Sequence, residues 1–294
     1  MKLYLERARE KTGLDQSACF SGLAEAAKVV EADAALICTP TATHAPFARM
    51  GFDAGLHVLV EKGMTTDFNL AKALVTEAEQ SGVKFCVAQN YRYQPIQQTM
   101  KKVLDRGNHG TPAITDFIHH RYRPNPRTLN YLNAMIRDMS CHHFDNLNFW
   151  FGPVQTVVAA RTFNPPWSQY PYDSGVYAIF AYENGMVCNY GLTHCDQNSS
   201  YYLLTQTDTG TLRTYDVEGI EFQPAGGGAR ETIELAALPR SEQLVLNTLR
   251  DYIREGIEPG ISGRNNLQTL ALCQATCDAA TTNAPVMVTD LFED

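Results

Sequence analysis

Up to about residue 95 the chain sets short apolar runs between helical stretches; beyond it, period-two segments and turn residues take over. Ala34–Thr39 (AALICT) reads as a strand covered on both faces. Pro40 stops it, and Thr41, Thr43 and His44 follow as a polar loop. Residues 46–54 form a helix closed by Gly55, and His57–Val60 is a second strand that delivers Glu61-Lys62-Gly63 at its carboxyl end. Two parallel strands joined by a helix make a βαβ unit, and such sheets bind ligands at the carboxyl ends of their strands. Thr39–His44 and Glu61-Lys62 are therefore expected on one rim. Around this unit the pattern predicts helices over residues 3–12 and 20–32. It predicts a further helix capped by Asp67, with Leu70, Ala71, Leu74, Val75 and Ala78 inward. A third strand over residues 84–89 leads into Asn90-Tyr91-Arg92-Tyr93-Gln94-Pro95.

Past Pro95, residues 96–105 read as a helix, Pro112–Tyr122 as a strand, Arg123–Arg127 as a rigid loop, and Asp138–Phe151 as a helix ended by Gly152. The next eighty or so residues are β-rich. Glu183-Asn184-Gly185 and Asp208-Thr209-Gly210 each sit between two strand-like runs and predict hairpins. Gly226-Gly227-Gly228 reads as a loop; helices over 242–255 and 265–282 and a short strand over 286–288 close the chain. The order predicts an α/β protein. An N-terminally incomplete Rossmann-like parallel sheet (1–92) is followed by an α+β domain with a large, mainly antiparallel sheet (93–294).

At 294 residues the chain can bury a sizeable core. Its net charge of −8 argues against nucleic acid or an anionic membrane as partner. No apolar run reaches the length of a membrane span, and no signal-peptide segment stands at the start. The eight cysteines form no CxxC pair, which fits reduced core residues of a cytoplasmic protein; Cys38, Cys86 and Cys188 lie in apolar runs. Apolar residues on both sides of 176–182 predict a homo-oligomer, a dimer or tetramer, through the open sheet face.

Several residues could carry chemistry. Lys62 ends a buried strand on the ligand rim, where an ammonium can stabilise a developing alkoxide or relay its proton; it could equally be a surface lysine in a turn. Asp138, His142 and Asp145 fall at i, i+4 and i+7 and share a helix face. Asp138 can fix the His142 tautomer and leave its other nitrogen as a base. The alternative is a helix-start aspartate beside a satisfied buried histidine. His119, His120, Asp138, Cys141, His142 and His143 are ligand types, yet no metal motif spaces them, and no metal is expected. Tyr91 and Arg92 could contact a ligand on the rim, or Arg92 could form a salt bridge. Arg121 and Arg123 could recognise a carboxylate or phosphate, or be solvated strand residues.

TPTATH followed by HVLVEKG resembles the Gfo/Idh/MocA oxidoreductases, whose pattern is a TP-x-x-x-H loop, a glycine, a short strand and Glu-Lys-Pro. Thr39, Pro40, His44, Glu61 and Lys62 match, and Gly63 stands in place of the proline. Asn90–Pro95 is similar to that family's N-x-R-[FY]-x-P segment, and residues 138–145 to its D-x-x-x-H-x-x-D helix. The resemblance implies an NAD- or NADP-dependent oxidoreductase acting on a sugar, cyclitol or related polyol by hydride transfer. It implies Lys62, His142 and Asp138 as catalytic residues, and Thr39, Pro40, His44, Glu61, Lys62 and Arg92 at the cofactor. It implies Lys62, Tyr91, Asp138, His142 and His143 at the substrate. No G-x-G-x-x-G follows a strand, so the chain resembles a member without its first strand, glycine loop, first helix and second strand. Weak binding of NAD(P) by the chain as written is the corresponding expectation. The alternative function is a non-catalytic or cofactor-deficient substrate-binding or oligomerisation protein.

Overall fold

A computed structural model describes residues 2–126, 129–215 and 219–293. The chain forms two compact units, residues 1–88 with 249–264, and residues 89–248 with 265–294.

The first unit opens with α1 (Lys2–Thr12) and the single-turn helix α2 (Leu23–Ala26). The helix expected over 20–32 is thus cut to one turn. The neighbouring β-branched pair Val29 and Val30 is exposed, so no packed face extends it. β1 (Ala34–Ile37), α3 (His44–Asp53), β2 (His57–Val60), α4 (Phe68–Gln80) and β3 (Phe85–Val87) follow. The strands pair in parallel in the order β1-β2-β3. Asp67 caps α4 by accepting the Leu70 N–H at 2.7 Å, and Ala71, Leu74, Val75 and Ala78 are its buried stripe. Both faces of β2 and β3 are covered. Residues 249–264 supply part of that cover: the Val87 N–H donates to the Ile261 carbonyl, and any Cβ on Gly263 would meet the Phe85 ring at 2.5 Å. β1 corrects the expectation of a strand covered twice. It is an edge strand, and Leu36 is 54 % exposed, with Cys38 exposed just beyond.

The second unit contains α5 (Pro95–Arg106), β4 (Pro112–Tyr122), α6 (Cys141–Phe151), β5 (Thr156–Phe163), β6 (Gly175–Ala181) and β7 (Val187–Thr193). β8 (Cys195–Thr207), β9 (Gly210–Tyr215), β10 (Gly219–Pro224) and β11 (Glu231–Ile233) continue it. α7 (Ser241–Glu255), α8 (Gly263–Thr282) and β12 (Val286–Met287) follow, and a 3-10 turn, Thr289–Phe292, is the last described element. The expected loop Arg123–Arg127 is described to Pro126; Arg127 lies outside the described residues. One nine-stranded sheet runs β11-β10-β9-β8-β4-β7-β6-β5-β12. All its pairs are antiparallel except β4 with β7. The Glu183-Asn184-Gly185 turn joins β6 to β7, with Gly185 at φ 84°, a conformation that suits glycine.

The sheet's inner face is apolar and aromatic. Phe117 of β4, Phe180 of β6 and Tyr190 of β7 are fully buried. α6 lays Phe144 on them, its ring centroid 5.3 Å from Phe180 and 5.1 Å from Tyr190. Burying such rings contributes roughly 1.5–3 kcal/mol each, which makes this contact the anchor of α6. The outer face leaves Ile114, Tyr177, Ile179 and Tyr202 exposed.

Candidate active site

In the first unit the carboxyl ends of the three parallel strands carry the expected rim. His44 is buried and ties two rim loops together. Its Nε2 lies 2.7 Å from the Thr39 carbonyl and its Nδ1 2.8 Å from the Gly63 carbonyl. Both partners only accept and a neutral imidazole carries one N–H, so in that form the ring donates to one carbonyl while its other nitrogen lies against the second, between the loop after β1 and the loop after β2. Thr43 Oγ1 lies 2.9 Å from Thr39 Oγ1 and donates to the Pro40 carbonyl at 2.7 Å. Glu61 is exposed and Lys62 half-buried, and the Lys62–Gly63 peptide is cis. His44→Ala should lower stability by about 1–3 kcal/mol, since it strips a buried carbonyl of its donor. A thermal melt checks this, and an unchanged midpoint would remove that tie.

In the second unit the chain enters α6 through a π-helical turn, Met135–Ser140. Buried Asp173 holds the start of that turn by accepting the Asn133 N–H at 2.7 Å and the Met135 N–H at 3.1 Å. Asp138 lies within the wider turn and His142 one residue beyond the junction with α6, so their i, i+4 spacing spans a change of pitch. The π-turn was not legible, because the apolar pattern over 138–151 fits an ordinary helix. His142 is buried, and its ring stacks on Tyr91 with centroids 4.0 Å apart and planes 13° apart.

Tyr91 belongs to a 3-10 turn, Asn90–Tyr93, which is bolted to α6. The Arg92 guanidinium donates to both carboxylate oxygens of Asp145, at 2.9 and 2.7 Å, and Asp145 also accepts from Thr269 Oγ1 at 3.3 Å. The pair is almost wholly buried, so losing one partner costs about 3–5 kcal/mol. The Arg92–Asp145 pair thus ties the turn that carries Tyr91 to α6, which carries His142.

A polar cluster that sequence reasoning missed lies on the inner face of β4. His119, His143 and His194 are buried, each at or below 2 % exposure. The Tyr190 phenol donates to Ser140 Oγ at 2.8 Å, so the His143 Nδ1–H donates to the phenol oxygen at 2.7 Å and Nε2 keeps a lone pair. The Tyr170 phenol donates to the Arg123 carbonyl, and His194 Nδ1 meets the phenol at 3.0 Å. His119 and His143 lie face to face with centroids 4.5 Å apart. Burial holds all three imidazoles well below their usual basicity, and the positive charge of Arg121 adds to this in each case. In the sequence His119 stood out only as a possible metal ligand and His194 not at all; the rings they meet stand 24 positions away.

No group of three or more His, Cys, Asp or Glu among the described residues is arranged to hold a metal ion. For a dinucleotide, the first unit offers the polar Thr39–Thr43 loop and the start of α3, which carries no side-chain cap. A 3-10 turn, Thr41–Thr43, leads directly into that helix, and the His44 N–H donates to the Thr41 carbonyl.

A parallel strand–helix–strand rim is thus followed by a large mixed sheet backed by a histidine-bearing helix. Residues 4–89 match the oxidoreductase family with an NAD-binding Rossmann fold, and residues 97–212 match the GFO/IDH/MocA C-terminal domain. The chain belongs to the Gfo/Idh/MocA family, as its motifs implied, and the family's cofactor is NAD. It is 26 % identical to D-apiose dehydrogenase from Paraburkholderia graminis, over 82 % of this chain and 68 % of that protein. It is 28 % identical to inositol 2-dehydrogenase from Rhizobium meliloti, over 44 % of this chain and 39 % of that one. The fold is similar to that of an oxidoreductase from Agrobacterium radiobacter in complex with NAD+, L-tartaric acid and magnesium. Their TM-score is 0.88, at 20 % identity over 99 % of this chain and 89 % of the other.

Proposed function

We propose that this chain oxidises a secondary hydroxyl of a sugar, cyclitol or related polyol with NAD or NADP. The names of the apiose and inositol dehydrogenases support the substrate class. The nicotinamide supplies the acceptor for the carbinol hydride. The chain's own residues manage the proton. His142 takes it from the hydroxyl as general base, and Lys62 steadies the negative charge that develops on oxygen. Asp138 holds the His142 tautomer, and Tyr91 fixes the plane of the ring. Thr39, Pro40, His44 and Glu61 form the cofactor side of the rim, and His143 faces substrate through its Nε2 lone pair. The Tyr91–His142 stack carries this reading. A parallel face-to-face contact, braced by the buried Arg92–Asp145 pair, aims one imidazole in one direction. The test is formation of reduced nicotinamide when NAD+ and a panel of sugars, cyclitols and polyols are supplied. Turnover with at least one is expected, and silence across the panel would overturn the reading.

The protein is further proposed to be a homo-oligomer joined through the outer face of the large sheet. Ile114, Tyr177, Ile179 and Tyr202 form that face and are 39–46 % exposed. Light scattering should give at least twice the 32.7 kDa of one chain, and Ile179→Arg should shift the mass toward the monomer. A monomer at micromolar concentration would contradict this.

A further inference from the structure

The inner face of β4 runs Thr115, Phe117, His119 and on to Arg121, from apolar packing into a basic end. Deep in it, three imidazoles keep hydrogen-bonding capacity that no side chain uses. Both ring nitrogens of His119, Nε2 of His143 and Nε2 of His194 are buried without a partner. An orphaned buried polar atom costs about 1–3 kcal/mol, so three such rings together call for hydroxyl or water partners. Arg121 and Arg123 stand at the same end of the strand and act electrostatically on His119 and His194. Neither forms an ion pair with a described carboxylate. Of the acids in this unit, Asp145 pairs with Arg92, Asp173 accepts backbone N–H groups, and Asp196 accepts from the Asn198 N–H and from Ser200 Oγ. The cluster thus joins unspent donors and acceptors to two neighbouring arginines.

We propose that the substrate is an anionic polyol, whose carboxylate or phosphate is received by Arg121 and Arg123 while its hydroxyls bond His119, His143 and His194. This rests on the polyol-oxidation reading above and narrows it. Guanidinium groups bind both anions through paired N–H donors. A neutral imidazole offers one donor and one acceptor, which is what a hydroxyl needs. A carboxylate or phosphate supplies a charge partner that a neutral sugar lacks.

Isothermal titration of the 294-residue chain, with NAD+ in excess, tests this with four probes: D-gluconate, sorbitol 6-phosphate, D-sorbitol and acetate. At least one of gluconate and sorbitol 6-phosphate should bind about tenfold or more tighter than sorbitol, and the tighter of the two identifies the anion. Arg121→Gln and Arg123→Gln should each weaken that binding about tenfold and leave sorbitol unaffected, whereas Arg121→Lys should retain most of it. Sorbitol binding as tightly as both anions, or an arginine-independent anion, would overturn the anionic assignment and leave the polyol reading standing. Acetate binding as tightly as gluconate, with the same arginine dependence, would keep the anion site and remove the polyol. No binding by any probe would overturn both. Should the glutamine variants fail to fold, the wild-type comparison of anion with sorbitol decides.

Discussion

Replacing His142 by glutamine is expected to lower turnover by about 10²–10⁴-fold, the usual worth of general acid–base help, while the protein remains folded. Glutamine keeps hydrogen-bonding capacity and much of the ring's volume but cannot exchange a proton. It should also keep contact with Tyr91, so the melt should change far less than the rate. Lys62→Ala should reduce turnover by a similar order, because the charge that steadies the developing alkoxide is lost. Steady-state kinetics beside thermal melts read both effects. A variant with near-wild-type turnover would take its residue out of the mechanism. A variant that loses rate only in proportion to its loss of folded protein would mark a structural role instead.

A second large effect is expected under mild acid. His119, His143 and His194 are all less basic in the folded chain than free histidine at 6.5, and His194 is pushed down to about 4. Burial is the main cause in each. Below 6.5 the unfolded chain takes up these protons and the folded chain does not, so stability falls as pH falls. The loss begins near the unfolded value and, for His194, stops below about 4, where the folded form charges as well. Three such groups give a slope of about 4 kcal/mol per pH unit. A total stability of roughly 5–15 kcal/mol would be used up within a few units. Both tryptophans, Trp150 and Trp167, lie in the second unit, so their fluorescence in urea titrations reports on the right part of the chain. His119→Gln should reduce the slope by about one proton. A slope near zero between pH 6.5 and 4 would mean the three imidazoles are not buried neutral.

Much of the fold was written in local signals. Asp67 and the stripe behind it mark α4, and Glu183-Asn184-Gly185 marks the β6–β7 hairpin, because each needs only neighbours in sequence. The motif TPTATH with Glu61-Lys62 marked the rim for the same reason. What sequence did not yield depends on distant partners. Arg92 meets Asp145 across 53 positions, and Tyr190 meets His143 across 47. Neither pair has any periodicity that could announce it. The π-turn at Met135–Ser140 is held by Asp173, some 35 residues on, and leaves the apolar pattern almost unchanged. β1 read as doubly covered because its residues are apolar; exposure of Leu36 follows from its place at the sheet edge, which composition does not encode. Cys38 was grouped with the core for the same reason and is exposed.

The most direct test of the account is a hydride-transfer assay with a substrate labelled at the reacting carbon. Incubated with NAD+ and a polyol bearing deuterium on its carbinol carbon, the wild-type chain should pass the label to the nicotinamide ring, and His142→Gln should do so about 10²–10⁴-fold more slowly. Label that stays on the polyol across the panel, or transfers equally fast in the variant, would contradict it.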